Sequence, residues 1–200
     1  MPPNDPDLHQ NAPDNSGVAL LIIDMINDLE FDGGEQVLQP AIDVARRIAD
    51  LKQRLQKAGI PVIYANDNFG RWRSDFGEAV RHCLEDGVRG AAIARLLKPG
   101  PDDYFVLKPK HSAFFATPLE LLLAYLGCKR LILTGMTANM CVQFSAADAF
   151  LRDFHLQVPA DCIASQSPDE TRRALTYMQA VLGADISPST DADPNAIRLS

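Results

Sequence analysis

Three side chains of this sequence stand just after short apolar runs, and together they make a nucleophile with its helpers. Asp24 follows Val18 to Ile23, Lys108 follows Tyr104 to Leu107, and Cys141 lies shortly after Arg130 to Met136. A thiol attacks carbonyl carbon as its thiolate. A carboxylate can take the thiol proton and an ammonium can hold the resulting charges, so Asp, Lys and Cys supply base, charge partner and nucleophile. Cys141 sits in GMTANMCVQFSAADAF, where a strand turns into a helix. Amides at a helix N-terminus favour negative charge, so the spacing predicts an activated thiolate there, assisted by Lys108. Each residue alone has an ordinary structural reading: a small buried cysteine, a turn-forming aspartate, a solvated lysine before Pro109. Their common placement at strand ends sets them apart, because parallel sheets gather ligands at the carboxyl ends of their strands.

The elements that must position them follow from periodicity. VALLIID over residues 18–24 is near-continuously apolar, as in a strand covered on both faces. Pro40 to Ala58 carries Ile42, Ala45, Ile48, Leu51 and Leu55 on one stripe, which predicts a helix closed by Gly59 and Pro61. Strands are expected at 62–65, 104–107, 130–136, 155–158 and 185–187, with short helical pieces at 75–85 and 90–97. Thr117-Pro118-Leu119-Glu120 and Ser167-Pro168-Asp169-Glu170 read as capping boxes with Pro at the first helical position. A further helix is expected over 140–153. Strand and helix alternate about six times, which predicts an α/β fold: a three-layer α-β-α sandwich around a six-stranded parallel sheet. The expected organisation is an N-terminal arm over residues 1–16, one domain over 17–190 and a polar tail over 191–200.

Composition excludes several classes. Lys plus Arg is 19 and Asp plus Glu is 26, so the net charge of -7 disfavours nucleic-acid binding. The longest apolar run, Val18 to Ile23, is far short of the roughly 20 residues of a membrane span. MPPNDPDLHQNAPDNSG has neither basic cluster nor apolar stretch and is not read as a secretory signal. Cys83, Cys128, Cys141 and Cys162 contain no CxxC pair, and the four histidines include no HExxH. The expectation is a cytoplasmic protein without disulfide, metal or cofactor.

LLIIDMINDLEF, VLKPKHSAFFATPLELLL and LILTGMTANMCVQFSAADAF together resemble the three signature blocks of the isochorismatase-like cysteine hydrolases, which include nicotinamidases and N-carbamoylsarcosine amidases. The resemblance covers roughly residues 17 to 190. It implies an Asp24–Lys108–Cys141 triad and a cis peptide bond between Met136 and Thr137. It also implies an oxyanion hole made by the backbone N–H groups of Thr137 and Cys141, and a homo-oligomer, dimer or tetramer. The implied activity is hydrolysis of a small amide or related C–N bond through a cysteine thioester.

The chain departs from that pattern in places. Nicotinamidases carry an Asp-x-His metal block after the second strand, whereas this chain reads Tyr64-Ala65-Asn66-Asp67-Asn68-Phe69-Gly70-Arg71-Trp72, without histidine. A metal-independent enzyme is therefore expected. Ile26 stands where many relatives have Gln. Phe69, Trp72 and Phe115 either line an apolar substrate pocket or pack in the ordinary way. His111 is near enough to Lys108 to reach the pocket, its ordinary reading being a cap or surface group. Two enzymatic readings stand, the amidase and an isochorismatase-type vinyl ether hydrolase. A third, non-hydrolytic ligand binding or thiol redox sensing, lacks support from GxGxxG, GxxxxGK[ST] or a nearby resolving thiol.

Overall fold

The computed structural model describes residues 16–68 and 75–192. The expected arm and tail lie largely outside them. Six strands form one parallel sheet: β1 (Val18–Ile23), β2 (Val62–Asp67), β3 (Tyr104–Lys108), β4 (Arg130–Met136), β5 (His155–Gln157) and β6 (Ile163–Ala164). The order is β3-β2-β1-β4-β5, with β6 paired to the end of β4. The chain reverses its direction of winding between β1 and β4, which opens a crevice at their carboxyl ends.

β1 explains the layers. All six of its residues are buried, and alternate side chains enter two different cores. Val18, Leu20 and Ile22 pack with Val37, Ala41, Ile48 and Leu55 of helix α1 (Gly34–Lys57). Ala19, Leu21 and Ile23 pack with Leu119 and Leu123 of α4 (Leu119–Tyr125), Ala146 and Ala149 of α5 (Gln143–Phe150), and Met178 of α6 (Pro168–Leu182). Helices α2 (Phe76–Glu85) and α3 (Ala91–Leu96) complete the layer of α1. Among the described residues no helix is long and apolar enough to cross a membrane.

Four elements differ from expectation. Helix α1 begins at Gly34 and carries Pro40 inside it. Pro40 removes one hydrogen bond, but Val37 one turn earlier extends the buried stripe through Ala41 and Ala45, and that packing prevails. Pro118 stands just before α4, and no side-chain cap forms on it. Thr117 Oγ1 accepts the Leu119 amide at 3.2 Å, while Glu120 pairs with Arg152 at 2.8 Å. The second capping motif behaves as expected: Ser167 caps α6 by accepting the Glu170 amide. The segment 185–187 makes only a single bridge, Asp185 to Gln157, because Asp185 Oδ1 accepts the Ser187 amide and bends the chain. The sixth strand is instead Ile163–Ala164, buried against Gly135 and Met136. Finally, the helix expected at 140–153 opens with a π-helical turn over Ala138–Val142 before α5.

Candidate active site

Strand register sets the floor of the crevice. Ile23 lies beside Ala65 on one side and Gly135 on the other, and Asp67 lies beside Lys108. The residues following β1, β2, β3 and β4 therefore emerge together. Asp24 leaves β1 with φ 54, which turns its carboxylate out of strand geometry into the crevice. Its Oδ1 accepts the Asp67 amide at 2.7 Å, and its Oδ2 lies 2.8 Å from Lys108 Nζ. Lys108 is the last residue of β3 and is 0% exposed. Its ammonium also lies 3.8 Å from Asp67 Oδ2 and 3.5 Å from Cys141 Sγ, and donates to the Lys110 carbonyl at 3.3 Å. Two carboxylates thus compensate one buried cation.

Cys141 is held by the π turn. The Thr137 carbonyl accepts the amides of Met140 and Val142, at 3.1 and 3.2 Å. Such an insertion re-aims a side chain that a regular helix would direct elsewhere. The Met136–Thr137 peptide bond is cis. Ser165 Oγ accepts the Ala138 amide at 3.0 Å and donates to Asn139 Oδ1 at 3.1 Å, which anchors the start of the turn. Ser145, fully buried in α5, donates to the Cys141 carbonyl at 2.6 Å and accepts the Ala113 amide at 2.9 Å. That one hydroxyl joins the Cys141 turn to the segment after Lys108.

A cavity of about 410 Å³ opens over these groups, lined by Asp24, Asp67, His111, Asn139, Cys141 and Gln166, with Phe31 and Met140 as apolar walls. Its size suits a small molecule. Asp24, Lys108, Cys141 and the Thr137 backbone are brought together here. Phe69 and Trp72 lie outside the described residues. Phe115 does not line the cavity: it is 56% exposed, while its neighbour Phe114 turns inward onto Phe154 and Arg152. Phe31 supplies the aromatic wall instead, from within the block LLIIDMINDLEF. His111 is not a cap. Its Nδ1 lies 3.7 Å from Cys141 Sγ, a proximity signalled in sequence only by its nearness to Lys108.

Electrostatics correct the expected thiolate. Burial pushes the Cys141 thiol up to about 12, and neighbouring Asp24 pushes the same way; Lys108 opposes both. Burial also raises Asp24 above the ordinary carboxylate range, against the pull of Lys108. Burial alone would lower Lys108, but the negative charges of Asp24, Cys141 and Asp67 hold it above the usual lysine value. Of two acids facing one ammonium, the carboxyl group loses its proton first, so the resting proton sits on sulfur. Cys141 does lie in the first turn of the helical segment that opens at Ala138, but burial outweighs what the free amides there contribute.

Alkylation checks this directly. Cys141 is the one of the four cysteines that lines the cavity, whereas Cys83, Cys128 and Cys162 are 2%, 3% and 0% exposed. At pH 7 iodoacetamide is expected to modify Cys141 first, yet more slowly than a free peptide thiol of pKa about 8.5. Asp24→Asn removes the like charge and should speed the labelling. Site-resolved mass spectrometry reads both rates, and faster-than-peptide labelling in the wild type would contradict the protonated resting thiol.

The described residues at the end of β2 and just beyond it do not fit an imidazole-built metal site. Asp67 turns its carboxylate towards Lys108, Asn66 donates its amide to the Ile26 carbonyl, and Asn68 is no imidazole. Among the described residues no group of three or more His, Cys, Asp or Glu side chains is placed to hold an ion.

Comparison with known proteins places this geometry in context. Residues 18–190 match the family model of the isochorismatase domain. The isochorismatase family protein YaaI of Bacillus subtilis is 41% identical over 169 residues, 84% of this chain and 92% of that protein. The ureidoacrylate amidohydrolase RutB of Rhizobium rhizogenes is 28% identical, over 81% of this chain and 76% of its own. The crystal structure of N-carbamoylsarcosine amidase from Thermoplasma acidophilum superposes with a TM-score of 0.69 at 26% identity, over 88% of this chain and 98% of that one.

Proposed function

This chain belongs to the isochorismatase family, and on that premise we propose that it is a metal-independent cysteine hydrolase cleaving a small amide or related C–N bond. One observation carries the reading: a fully buried ammonium stands 2.8 Å from a carboxylate and 3.5 Å from a thiol at the floor of a small-molecule cavity. Two of the similar proteins are, by name, an amidohydrolase and an amidase, which supports a C–N bond as the target.

In this reading Asp24 takes the Cys141 proton as sulfur attacks the carbonyl carbon. Because the resting thiol is neutral, proton transfer accompanies attack. Lys108 stays protonated and balances the negative charge as it moves between carboxylate and sulfur. The amides of Thr137 and Cys141 receive the developing oxyanion, each donor contributing about 3–4 kcal/mol. Asp24 passes its proton to the leaving nitrogen, the C–N bond breaks, and an acyl thioester remains on Cys141.

A homo-oligomer, dimer or tetramer, is part of the proposal, supported by exposed Phe144, Phe150 and Leu151 on and beside α5 and Leu121 on α4. A cytoplasmic setting accords with four free thiols.

The test is a panel of small primary amides, ureido compounds and a vinyl ether, run with and without exhaustive chelation. Release of ammonia or amine, undiminished by the chelator and accompanied by an acyl adduct on the Cys141 peptide, is the expected outcome. Vinyl ether cleavage without any amide turnover would transfer the assignment to the other enzymatic reading. Activity lost on chelation and restored by zinc would end the metal-independent one.

A further inference from the structure

Cys141 Sγ has a third polar neighbour besides Asp24 and Lys108, the Nδ1 of His111 at 3.7 Å. The imidazole is exposed and borders the cavity, whereas Asp24 and Lys108 are buried. Its position is fixed from both sides. Ahead of it, Lys108 Nζ donates to the Lys110 carbonyl at 3.3 Å. Behind it, Ser112 Oγ donates to Asp148 Oδ2 at 2.5 Å, and the Ala113 amide donates to Ser145 Oγ, which in turn donates to the Cys141 carbonyl. The ring also leans on Phe144, with centroids 5.6 Å apart. An exposed histidine held this way by tethers to the turn that carries the nucleophile is placed for chemistry on the solvent side of the sulfur.

We propose that His111 is the catalytic base of deacylation: it takes a proton from the water that attacks the Cys141 thioester and returns that proton to the departing sulfur. This rests on the thioester reading above. The division of labour follows from access. Asp24 is buried on the inner side of the sulfur, held by the Asp67 amide and Lys108, and so serves the proton of the thiol, not that of an incoming water. Hydrolytic water arrives from the open side of the cavity, where the imidazole stands. With its own proton on Nε2, the ring presents the Nδ1 lone pair towards the sulfur and the acyl carbon bonded to it. Water oxygen bonds to that carbon while one water proton moves to Nδ1. The tetrahedral adduct then collapses, the C–S bond breaks and its electron pair stays on sulfur. The imidazolium gives its proton to that thiolate, restoring neutral His111 and the Cys141 thiol, and the acyl group leaves as a carboxylic acid. Imidazole is suited to taking and releasing one proton within a single turnover.

The probe is p-nitrophenyl acetate, which acetylates a reactive cysteine and reports acylation by release of nitrophenolate. Wild type should give a burst equal to the Cys141 content, followed by a steady rate set by deacylation. His111→Ala and His111→Gln should keep the burst amplitude, lower the steady rate about 100-fold and accumulate acetyl-enzyme in intact-mass spectra. Added imidazole should restore the Ala variant by a larger factor than it changes the wild type, a result that loss of packing alone would not give. A steady rate within about threefold of wild type, or a slow rate that imidazole does not restore, would overturn the role of His111 while leaving the thioester intact. Absence of any burst that depends on Cys141 would remove both proposals together.

Discussion

Cys141→Ala is expected to leave a folded protein whose amide hydrolysis falls by about 10⁴-fold or more. The size of the loss comes from the order of events. Without sulfur no thioester forms, and what remains is transition-state stabilisation by the surrounding amides and by binding, which in other nucleophilic hydrolases retains only a small residue of the rate. The fold should tolerate the change, because the thiol faces the cavity and Cys141, only partly buried, packs against the edge of the second core and is not one of its fully buried members. Removing it also takes away a hydrogen bond to Asp24 that works against the raising effect of burial on that carboxyl group. Cys141→Ser should be almost as slow, because a hydroxyl at the same place is a far weaker acid than the thiol and gives its proton to Asp24 much less readily. Turnover of the best amide substrate, with thermal unfolding as control, reads the result. Retention of more than about a hundredth of wild-type rate by the Ala variant would show that sulfur is not the nucleophile.

Gly135→Ala is expected to destabilise the domain by about 3 kcal/mol or more, among the larger single-residue costs. Gly135 has φ 116, outside the range that side chains accept. It pairs with Ile23 in the sheet, and a Cβ there would lie 2.8 Å from the Ile23 amide nitrogen and closer still to its carbonyl oxygen. Both obstacles are backbone, so no side chain can swing aside. Strands β1 and β4 would have to part where Asp24 and the Cys141 turn begin, and activity should fall with stability. Gly183→Ala is the control. Gly183 is also left-handed, with φ 65, but nothing lies within 4 Å of its added Cβ. It should cost only about 1–2 kcal/mol. Thermal melts of the two variants separate the cases: at roughly 2–4 °C per kcal/mol, Gly135→Ala should melt about 10 °C below wild type or fail to accumulate as folded protein. Equal midpoints for the two variants would refute the close-approach argument.

Much of the architecture was readable in the sequence, for reasons that local chemistry supplies. The run VALLII has no polar face, so it announces a strand buried on both sides, and the structure puts its alternate residues into separate cores. Asp24, Lys108 and Cys141 could be singled out because strand ends converge in any parallel sheet. What escaped depends on long-range contacts. Nothing near Pro40 says that Val37 will find a buried place one turn earlier. Phe114 and Phe115 are chemically identical neighbours, and only the turn around Ala116, with φ 53, accompanies one facing in and the other out. The sequence does not carry the charge state of the thiol, because burial is a property of the assembled fold and is the largest influence on Cys141.

The placement of β1 has a consequence for how this protein is made. Of the six strands of the sheet, β1 leaves the ribosome before the others, and it is the central strand of the finished sheet, paired to β2 on one edge and to β4 on the other. Residues 62–67 follow it fairly soon, but residues 130–136 emerge only after β2, β3 and the helices α1 to α4 have been synthesised. During that interval one edge of an entirely apolar strand has no partner, and such edges pair readily with other chains. The nascent polypeptide therefore carries an unpaired apolar edge from the emergence of β1 until β4 emerges and closes it.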